Sequence, residues 1–151
     1  MSVDIYAFAS NSLTNIWAAV GAQMWAIPDR PSSFGSSSGK AAKIPLGAFG
    51  LLYSSVDKCF TVPFVVLSKP DPAPESAVSH VWEGRWLLPF RIRTLGNPHA
   101  RISWSEAKTL LPSCQNGMQL KSLIHIEPLT VFAASKLDEA DWAVLMQRLA
   151  N

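Results

Sequence analysis

The hydrophobic period of this chain switches several times between strand-like and helical spacing. Apolar residues recur at helical spacing over residues 13–20 and 142–149, which predicts a helix near each end. Between them, the runs at 47–55, 60–68 and 85–95 predict strands, and an opening strand at 4–9 precedes the first helix. No regular alternation of strands and helices is present. The pattern therefore predicts an α+β fold, in which a mixed or mainly antiparallel sheet curls into a partial barrel flanked by helices.

The two helices have separate start signals and predicted buried faces. Ser12 is a predicted N-cap of the first helix and Gly21 its predicted end. Asp138 is the predicted cap of the last helix, and acidic residues fill its first turn. The buried stripes are predicted to be Leu13, Ile16, Trp17 and Val20 in the first helix and Trp142, Leu145, Met146 and Leu149 in the last. Trp17 and Trp142 are therefore predicted core residues.

Two of the predicted strands carry a marked residue pattern. Pro63 lies inside the run 60–68, which predicts an edge position or a bulge. The run 85–95 alternates apolar and basic residues, namely Phe90, Arg91, Ile92 and Arg93, so this strand has an apolar face and a basic face. Further along, Ser103 and Glu106 form a capping box for a short helix, and residues 123–133 predict another strand or strand pair.

Composition limits the class of protein. The chain of 151 residues is predicted to form a single domain over 1–151, and 48% of its residues are hydrophobic. Neither a membrane-spanning run nor a secretory leader is recognisable, so a cytoplasmic location is expected. Cys59 and Cys114 are too few for a disulfide framework and are expected to be reduced. The net charge of +2 does not by itself indicate nucleic-acid binding.

Catalytic and metal-binding motifs are missing from the sequence. There is no G-x-S-x-G elbow, no P-loop and no G-x-G-x-x-G, and the three His residues are too widely spaced for a helical metal site. Glu106 and Lys108, with Asp71 upstream, imitate a metal-dependent nuclease motif, but nuclease chemistry needs them on a strand rather than in a capped helix. We therefore expect a protein that is not an enzyme, with no metal and no cofactor.

The supply of Trp is the most unusual feature of the composition. Six are present, and four of them, Trp25, Trp82, Trp86 and Trp104, belong to no helical stripe. Trp25 follows Gly21 and precedes Pro28, in a loop or short extended segment. Trp rings at loops and strand ends can hold a flat aromatic ligand between their faces while short polar side chains read its edge. The alternative is that these rings only cover the ends of a small barrel.

The stretch SNSLTNIWAAVGAQMWAIP resembles the opening of YTH domains and of the related EVE domains, which belong to the PUA-like superfamily of modified-base readers. In the YTH pattern a strand ends in Ser-Asn, a second Asn follows four residues later, and a Trp follows about ten residues after that. Ser10, Asn11, Asn15 and Trp25 match this spacing. The segments GKAAKIPLGAFGLLYSS and VWEGRWLLPFRIRTL resemble EVE-like N-terminal domains of McrB-type modification-dependent restriction systems.

The chain also departs from the YTH pattern. Ala26 and Ile27 replace a Ser-Thr pair after the first Trp, and Thr94 lies near the expected position of the second cage Trp. The opposite wall of a pocket must therefore come from elsewhere, and the candidates in falling order are Trp86, Trp104 and Tyr53.

The resemblance implies a site and a role for each residue. Trp25 would form one wall of a pocket for a flipped base, while Ser10, Asn11 and Asn15 would lie at the base edge, since an amide offers both a donor and an acceptor. Helix capping is the alternative role for the two Asn residues. The predicted phosphate contacts around the pocket are Lys40, Lys43, Arg91, Arg93 and Arg101. An ordinary solvated surface is the alternative for these cations.

Three functional hypotheses follow. The first is a non-catalytic module that binds a flipped, methylated base in DNA, as the specificity domain of a restriction system whose nuclease or NTPase is fused or associated. The second is an RNA-binding PUA/YTH-like reader of modified adenosine or of tRNA or rRNA, which dependence on the ribose 2′-OH would distinguish. The third is an enzyme or receptor for a nucleoside-like metabolite, whose binding would not depend on salt. None of them involves a membrane.

Overall fold

The computed structural model describes residues 2–28, 39–72, 81–84, 86–126 and 132–150. The first half contains β1 (Ser2–Ser10), α1 (Leu13–Ala22), β2 (Met24–Pro28), β3 (Phe49–Ser54) and β4 (Cys59–Val66). The second half contains β5 (Trp86–Thr94), β6 (Arg101–Ser103), α2 (Trp104–Leu110), α3 (Pro112–Gln115), α4 (Leu120–Leu123), β7 (Ser135–Asp138) and α5 (Glu139–Leu149). Within the described residues, none of the helices is long and apolar enough to cross a bilayer.

A single mixed sheet organises these elements, with strand order β2-β5-β4-β3-β1-β7. β1 and β3 run parallel, while β3–β4, β4–β5, β2–β5 and β1–β7 are antiparallel. One edge of β4 pairs with two strands: the first half of β4 pairs with β6, and its second half pairs with β5. The α+β class and the mixed sheet were predicted from the sequence and are confirmed.

A bulge in β4 sets which side of the sheet each residue faces. Leu51 pairs with Pro63 and Leu52 with Thr61, so Val62 is the extra residue, and its φ is +46°. An extra residue shifts the alternation of side chains by one position. Phe60 and Phe64 therefore face opposite sides of the sheet. The bulge predicted at Pro63 is confirmed.

Each face of the sheet carries its own core. The core on the α1 side contains large rings from three strands together with helix residues, including Phe8, Ile16, Trp25, Phe64 and Phe90. The core on the α5 side lies beneath α2 and α5 and includes Leu51, Phe60, Ile102, Trp142 and Leu145. We call these the α1-side core and the α5-side core.

Several local predictions are confirmed. Ser103 Oγ accepts from the Glu106 N–H, and Glu106 accepts from the Ser103 N–H, so the capping box is complete. In β5, Phe90 and Ile92 are buried while Arg91 and Arg93 are exposed. The buried residues of α5 include Trp142, Leu145 and Leu149, and Asp138 is its N-cap residue without a capping side-chain bond.

Two predictions about α1 are wrong. Trp17 is 42% exposed and contacts His99 edge-on, whereas Ile16 and Ala19 form the buried face. The predicted apolar stripe includes both Ile16 and Trp17. The helix packs on the sheet through Ile16 and the smaller Ala19, which leaves Trp17 at the exposed side of the stripe. The helix also continues past Gly21 and ends at Gln23, which adopts the left-handed conformation with φ +52°.

The strand predicted over 123–133 is also wrong in its described part. Residues 120–123 form α4, residues 124–126 have no regular structure, and 127–131 lie outside the described residues. A strand occurs later, at β7, which pairs with the edge of β1. β7 reads Ser-Lys-Leu-Asp, and a four-residue strand with two exposed polar side chains gives little hydrophobic signal.

Candidate functional site

Trp25 lies in β2 and is one of the largest fully buried side chains of the described residues. Its exposed fraction is 1%, and it lies opposite Phe90 of β5 in the ladder. Residues directly opposite each other on paired strands share a face of the sheet. The ring is therefore in the α1-side core, and of the two alternatives that the sequence left open for Trp25, a loop or a short extended segment, the structure has the extended segment.

Two further Trp rings contact Trp25. The ring centroids of Trp82 and Trp86 lie 5.8 Å and 6.0 Å from that of Trp25, at interplanar angles of 81° and 79°. Trp82 and Trp86 stack on each other with centroids 4.7 Å apart and planes 21° apart. The three centroids form a nearly isosceles triangle, so Trp25 stands beside the stack, almost equidistant from the two rings and nearly perpendicular to both. We call these three residues the Trp cluster.

Backbone carbonyls hold the stacked pair in place. Trp82 Nε1 donates to the Asn15 carbonyl of α1 at 3.0 Å, and Trp86 Nε1 donates to the Glu83 carbonyl at 2.9 Å. Gly84 lies between Trp82 and Trp86 in the sequence and has φ +83°, a conformation that favours glycine. This turn brings the two indoles together.

The start of α1 places polar groups beside the cluster. Asn15 Nδ2 donates to Ser10 Oγ at 3.3 Å, and Ser10 is 6% exposed at the end of β1. Ser12 Oγ caps the helix by accepting from the Thr14 N–H at 3.0 Å. Because Ser12 is the cap, neither Asn has the capping role that was the alternative for them. Asn11 is exposed at the junction between strand and helix.

Gln23 fixes the position of β2 at the other end of α1. Its Nε2 donates to the Val20 carbonyl at 2.7 Å and to Thr94 Oγ1 at 2.8 Å, and its Oε1 accepts from the Thr94 N–H at 3.0 Å. Thr94 lies near the position at which the YTH pattern would place a second cage Trp. In this chain the position instead anchors the segment that leads into Trp25.

Two of the predicted pocket walls are not near Trp25. Tyr53 and Trp104 contact each other and Phe60, with centroid distances of 5.8 Å for Tyr53–Trp104 and 4.8 Å for Tyr53–Phe60. All three pack in the α5-side core, on the other face of the sheet. Of the predicted walls, the structure brings only Trp86 to Trp25.

Trp82 was not among the residues predicted to line the pocket. The available signal was the spacing Trp-x-Gly-x-Trp over residues 82–86, in which a central glycine permits a turn that places both rings on one side. Sequence periodicity does not detect such a turn, because these residues follow neither a helical nor a strand pattern.

The predicted phosphate-binding residues divide into two groups. Lys40 and Lys43 lie on the segment whose Ala41 and Ile44 belong to the α1-side core. Arg91 and Arg93 alternate with Phe90 and Ile92 and are therefore on the opposite face of β5 from Trp25. Lys69, which was not predicted, donates to the carbonyls of Ala42 at 3.3 Å and Ile44 at 2.5 Å, beside the two lysines.

Arg101 belongs to the side of the sheet that carries Trp25. It pairs with Thr61, which pairs with the buried Leu52 of the α1-side core.

Burial raises the pKa of the nearby Cys59 thiol, while Arg101 lowers it to a smaller extent and Asp57 raises it. The thiol therefore stays protonated at neutral pH and is not a thiolate nucleophile.

The described site offers groups that are suited to binding. The Trp cluster offers flat aromatic surface, and the residue whose carbonyl accepts from Trp82, Asn15, joins its side-chain amide to the Ser10 hydroxyl. No group of three or more His, Cys, Asp or Glu side chains in the described part of the chain is arranged to hold a metal ion. Such a set of groups can stack on and hydrogen-bond a planar ligand.

Comparison with known proteins identifies the fold. No family model and no curated protein sequence matches the chain. The YTH domain of Zygosaccharomyces rouxii MRB1, in complex with N6-methyladenosine RNA, aligns with a TM-score of 0.62 at 13% identity, over 96% of this chain and 85% of that one. The Toxoplasma CPSF4 YTH domain, in complex with a 7-mer m6A-modified RNA, aligns with a TM-score of 0.58 at 16% identity, over 98% and 93%.

A protein of Agrobacterium tumefaciens is similar in structure to about the same degree. It aligns with a TM-score of 0.55 at 13% identity, over 99% of this chain and 96% of that one. The chain therefore has the fold of YTH domains, and the PUA-like fold that the sequence resemblance implied is confirmed.

Proposed function

We propose that this chain is a non-catalytic reader that binds a methylated base of single-stranded RNA in the Trp cluster. The observation that carries the proposal is the contact of three indoles with each other and, through the Trp82 hydrogen bond, with Asn15 at the start of α1. Solved structures with the same fold hold N6-methyladenosine RNA, which favours RNA as the partner.

Each part of the site has a role in this proposal. The base stacks on Trp86, and the Asn15 amide, with Ser10 behind it, hydrogen-bonds the base edge. The methyl group enters the apolar space between the indoles. Burying one methyl group contributes about 1 kcal/mol, so the methylated base should bind roughly five- to tenfold more tightly than the unmodified base.

Binding requires the stacked pair to open. A base between two rings needs a contact of about 3.5 Å on each face, or about 7 Å between the rings. The centroids of Trp82 and Trp86 are 4.7 Å apart, so no base fits between the two rings as they stand, and in this proposal the base takes the place of Trp82 on the face of Trp86. Opening exchanges the Trp82–Trp86 stack for a base–Trp86 stack and breaks the bond to the Asn15 carbonyl, at a cost of about 1–3 kcal/mol.

Cations on the same side of the sheet are proposed to contact phosphates. Lys40, Lys43 and Arg101 are the predicted residues that the structure leaves on the side of Trp25. If three phosphates are contacted, log K should fall with log salt at a slope of roughly −2 for a single strand. The basic face of β5 should contribute little to this slope.

The DNA version of the function is the second form of the proposal. The sequence resemblance to McrB-type domains implies a methylated base in DNA and an associated nuclease or NTPase. The two forms differ at the ribose, because an RNA reader gains contacts from the 2′-OH that DNA lacks. Matched RNA and DNA oligonucleotides therefore decide between them.

The test is a titration by fluorescence anisotropy against 9-mer RNA and DNA, each with N6-methyladenine or adenine at the centre, and DNA with 5-methylcytosine. Trp25→Ala is a poor variant, because truncating a Trp that is 1% exposed should cost about 3–5 kcal/mol of stability. Asn15→Asp is better, since it keeps the shape of a half-buried side chain and changes a donor into an acceptor. It should weaken binding by about tenfold.

Asn116→Asp is the matched control. It makes the same chemical change at the exposed end of α3, beside the α5-side core, and should bind like the wild type. Equal binding of methylated and unmethylated oligonucleotides by the wild type would overturn the reader proposal. Tight binding of free N6-methyladenosine without dependence on salt would favour the metabolite receptor instead.

A further inference from the structure

Trp25 carries a buried donor that has no acceptor. Its Nε1 is inaccessible to solvent and has no hydrogen-bond partner among the described residues. The other two indoles of the Trp cluster donate to carbonyls at 3.0 Å and 2.9 Å. Buried side-chain donors in folded proteins are nearly always paired, so an unpaired one points to a partner that arrives from outside.

The geometry of the cluster places the ring that carries this donor beside the proposed place of a ligand. Trp25 lies beside the stacked pair, nearly perpendicular to both rings and almost equidistant from them. A base that replaces Trp82 on the face of Trp86 would also lie nearly perpendicular to Trp25. In this position it would present its edge to Trp25. The edge of a base carries its hydrogen-bonding groups, whereas the edge of the displaced indole faces Trp25 mainly with C–H groups.

A phenyl ring at this position would fill the core without leaving an unpaired donor. Many apolar side chains already surround the position, including Phe8, Phe64 and Phe90. Burial alone therefore does not account for an indole there. An N–H···π contact with a neighbouring ring would be weaker than a full hydrogen bond and would not replace one.

We propose that the Trp25 indole N–H donates a hydrogen bond to an acceptor atom on the edge of the bound base, so that Trp25 selects ligands by hydrogen bonding as well as by shape. This inference rests on the proposed function, since it needs a base in the Trp cluster. It adds a requirement on the ligand: the edge that enters must carry a lone-pair acceptor, such as a ring nitrogen or a carbonyl oxygen.

The experiment uses the 9-mer RNA with a central N6-methyladenosine, together with its 1-deaza, 3-deaza and 7-deaza analogues. Each analogue replaces one acceptor nitrogen by C–H. The wild-type chain is compared with Trp25→Phe and with a chain that carries 3-benzothienylalanine at position 25, which keeps the bicyclic ring but has sulfur in place of N–H. The benzothienyl side chain keeps the test valid if the smaller phenyl ring disturbs folding.

The expected result is a coupling between one analogue and position 25. Loss of the N–H should weaken binding of the methylated RNA by roughly three- to tenfold, as expected for one neutral hydrogen bond. One deaza analogue should bind the wild type with a similar loss and should lose nothing further with either replacement at position 25. Trp142→Phe is the control, because it makes the same substitution in the α5-side core and should leave the affinity unchanged.

Two results would overturn the inference while the reader proposal stands. One is unchanged affinity for the methylated RNA after the sulfur replacement. The other is an equal loss for each analogue in the wild type and in both replacements. If the wild type itself does not distinguish methylated from unmethylated RNA or DNA, the reader proposal fails and the inference fails with it.

Discussion

Gln23→Gly tests how the chain positions the strand that carries Trp25. Gln23 is left-handed, with φ +52°, and its side chain makes three hydrogen bonds to Val20 and Thr94. Glycine removes the steric cost of this conformation, which is about 1–2 kcal/mol. It also removes three hydrogen bonds that contribute about 1 kcal/mol each. The net expectation is a loss of about 1.5 kcal/mol in the free energy of unfolding.

Lys58→Gly provides the matched control. Lys58 has the same φ of +52°, it is exposed in the turn between β3 and β4, and its side chain has no hydrogen bond to any described residue. Glycine there relieves the same backbone cost without losing a side-chain bond, so the protein should gain about 1–2 kcal/mol. The two variants should therefore change stability in opposite directions.

Urea denaturation followed by Trp fluorescence measures both variants. With an m value of about 2 kcal/mol per molar, Gln23→Gly should lower the midpoint by roughly 0.75 M. Thr94→Val should destabilise the wild type and have a smaller effect in the Gln23→Gly background, because the bond to Thr94 Oγ1 is already gone. If Gln23→Gly is at least as stable as the wild type while Lys58→Gly is stabilised, the hydrogen bonds to Thr94 do not anchor β2.

Other substitutions test the packing and the titration behaviour. A Cβ on Gly96 would lie 2.2 Å from the Leu149 carbonyl oxygen, so Gly96→Ala should cost about 1–3 kcal/mol in a denaturation assay. Gly21 is in α1 with nothing within 4 Å of the same position, and Gly21→Ala should stabilise by about 0.5–1 kcal/mol. Because burial raises the pKa of Cys59 above 9.0, its contribution to stability is present below pH 9 and is lost as the pH rises through the folded-state pKa. The urea midpoint should fall as the pH rises above 9, and it should fall less steeply in Cys59→Ala. An identical dependence of the midpoint on pH in the wild type and in Cys59→Ala would contradict the burial effect.

The candidate site was predicted in part. The spacing that linked Ser10, Asn15 and Trp25 corresponds to neighbouring groups in the structure, connected through the bond from Asn15 to Ser10 and the contact of Trp25 with Trp82. Trp86 also lies where it was expected. The use of these residues in binding remains a prediction.

The remaining walls could not be chosen from sequence because the choice depends on the face of the sheet. Tyr53 and Trp104 are as aromatic as Trp82 and Trp86, but they lie in the other core. A shift of one residue in register moves a side chain to the opposite face, and the bulge at Val62 makes such a shift in β4. The sequence indicated a bulge near Pro63 but not which aromatic residues would share a side.

By itself, the sequence determined what depends on near neighbours in the chain. The alternation in β5, the capping box at Ser103 and the stripe of α5 follow from residues within about one or two turns of each other. The tertiary structure decided what depends on distant partners. Trp17 is exposed because α1 packs on the sheet through Ile16 and Ala19. The helix ends at Gln23, where Thr94, 71 residues away, supplies hydrogen-bond partners for the Gln23 side chain. Local patterns specify which elements form, whereas long-range packing specifies which of their surfaces meet.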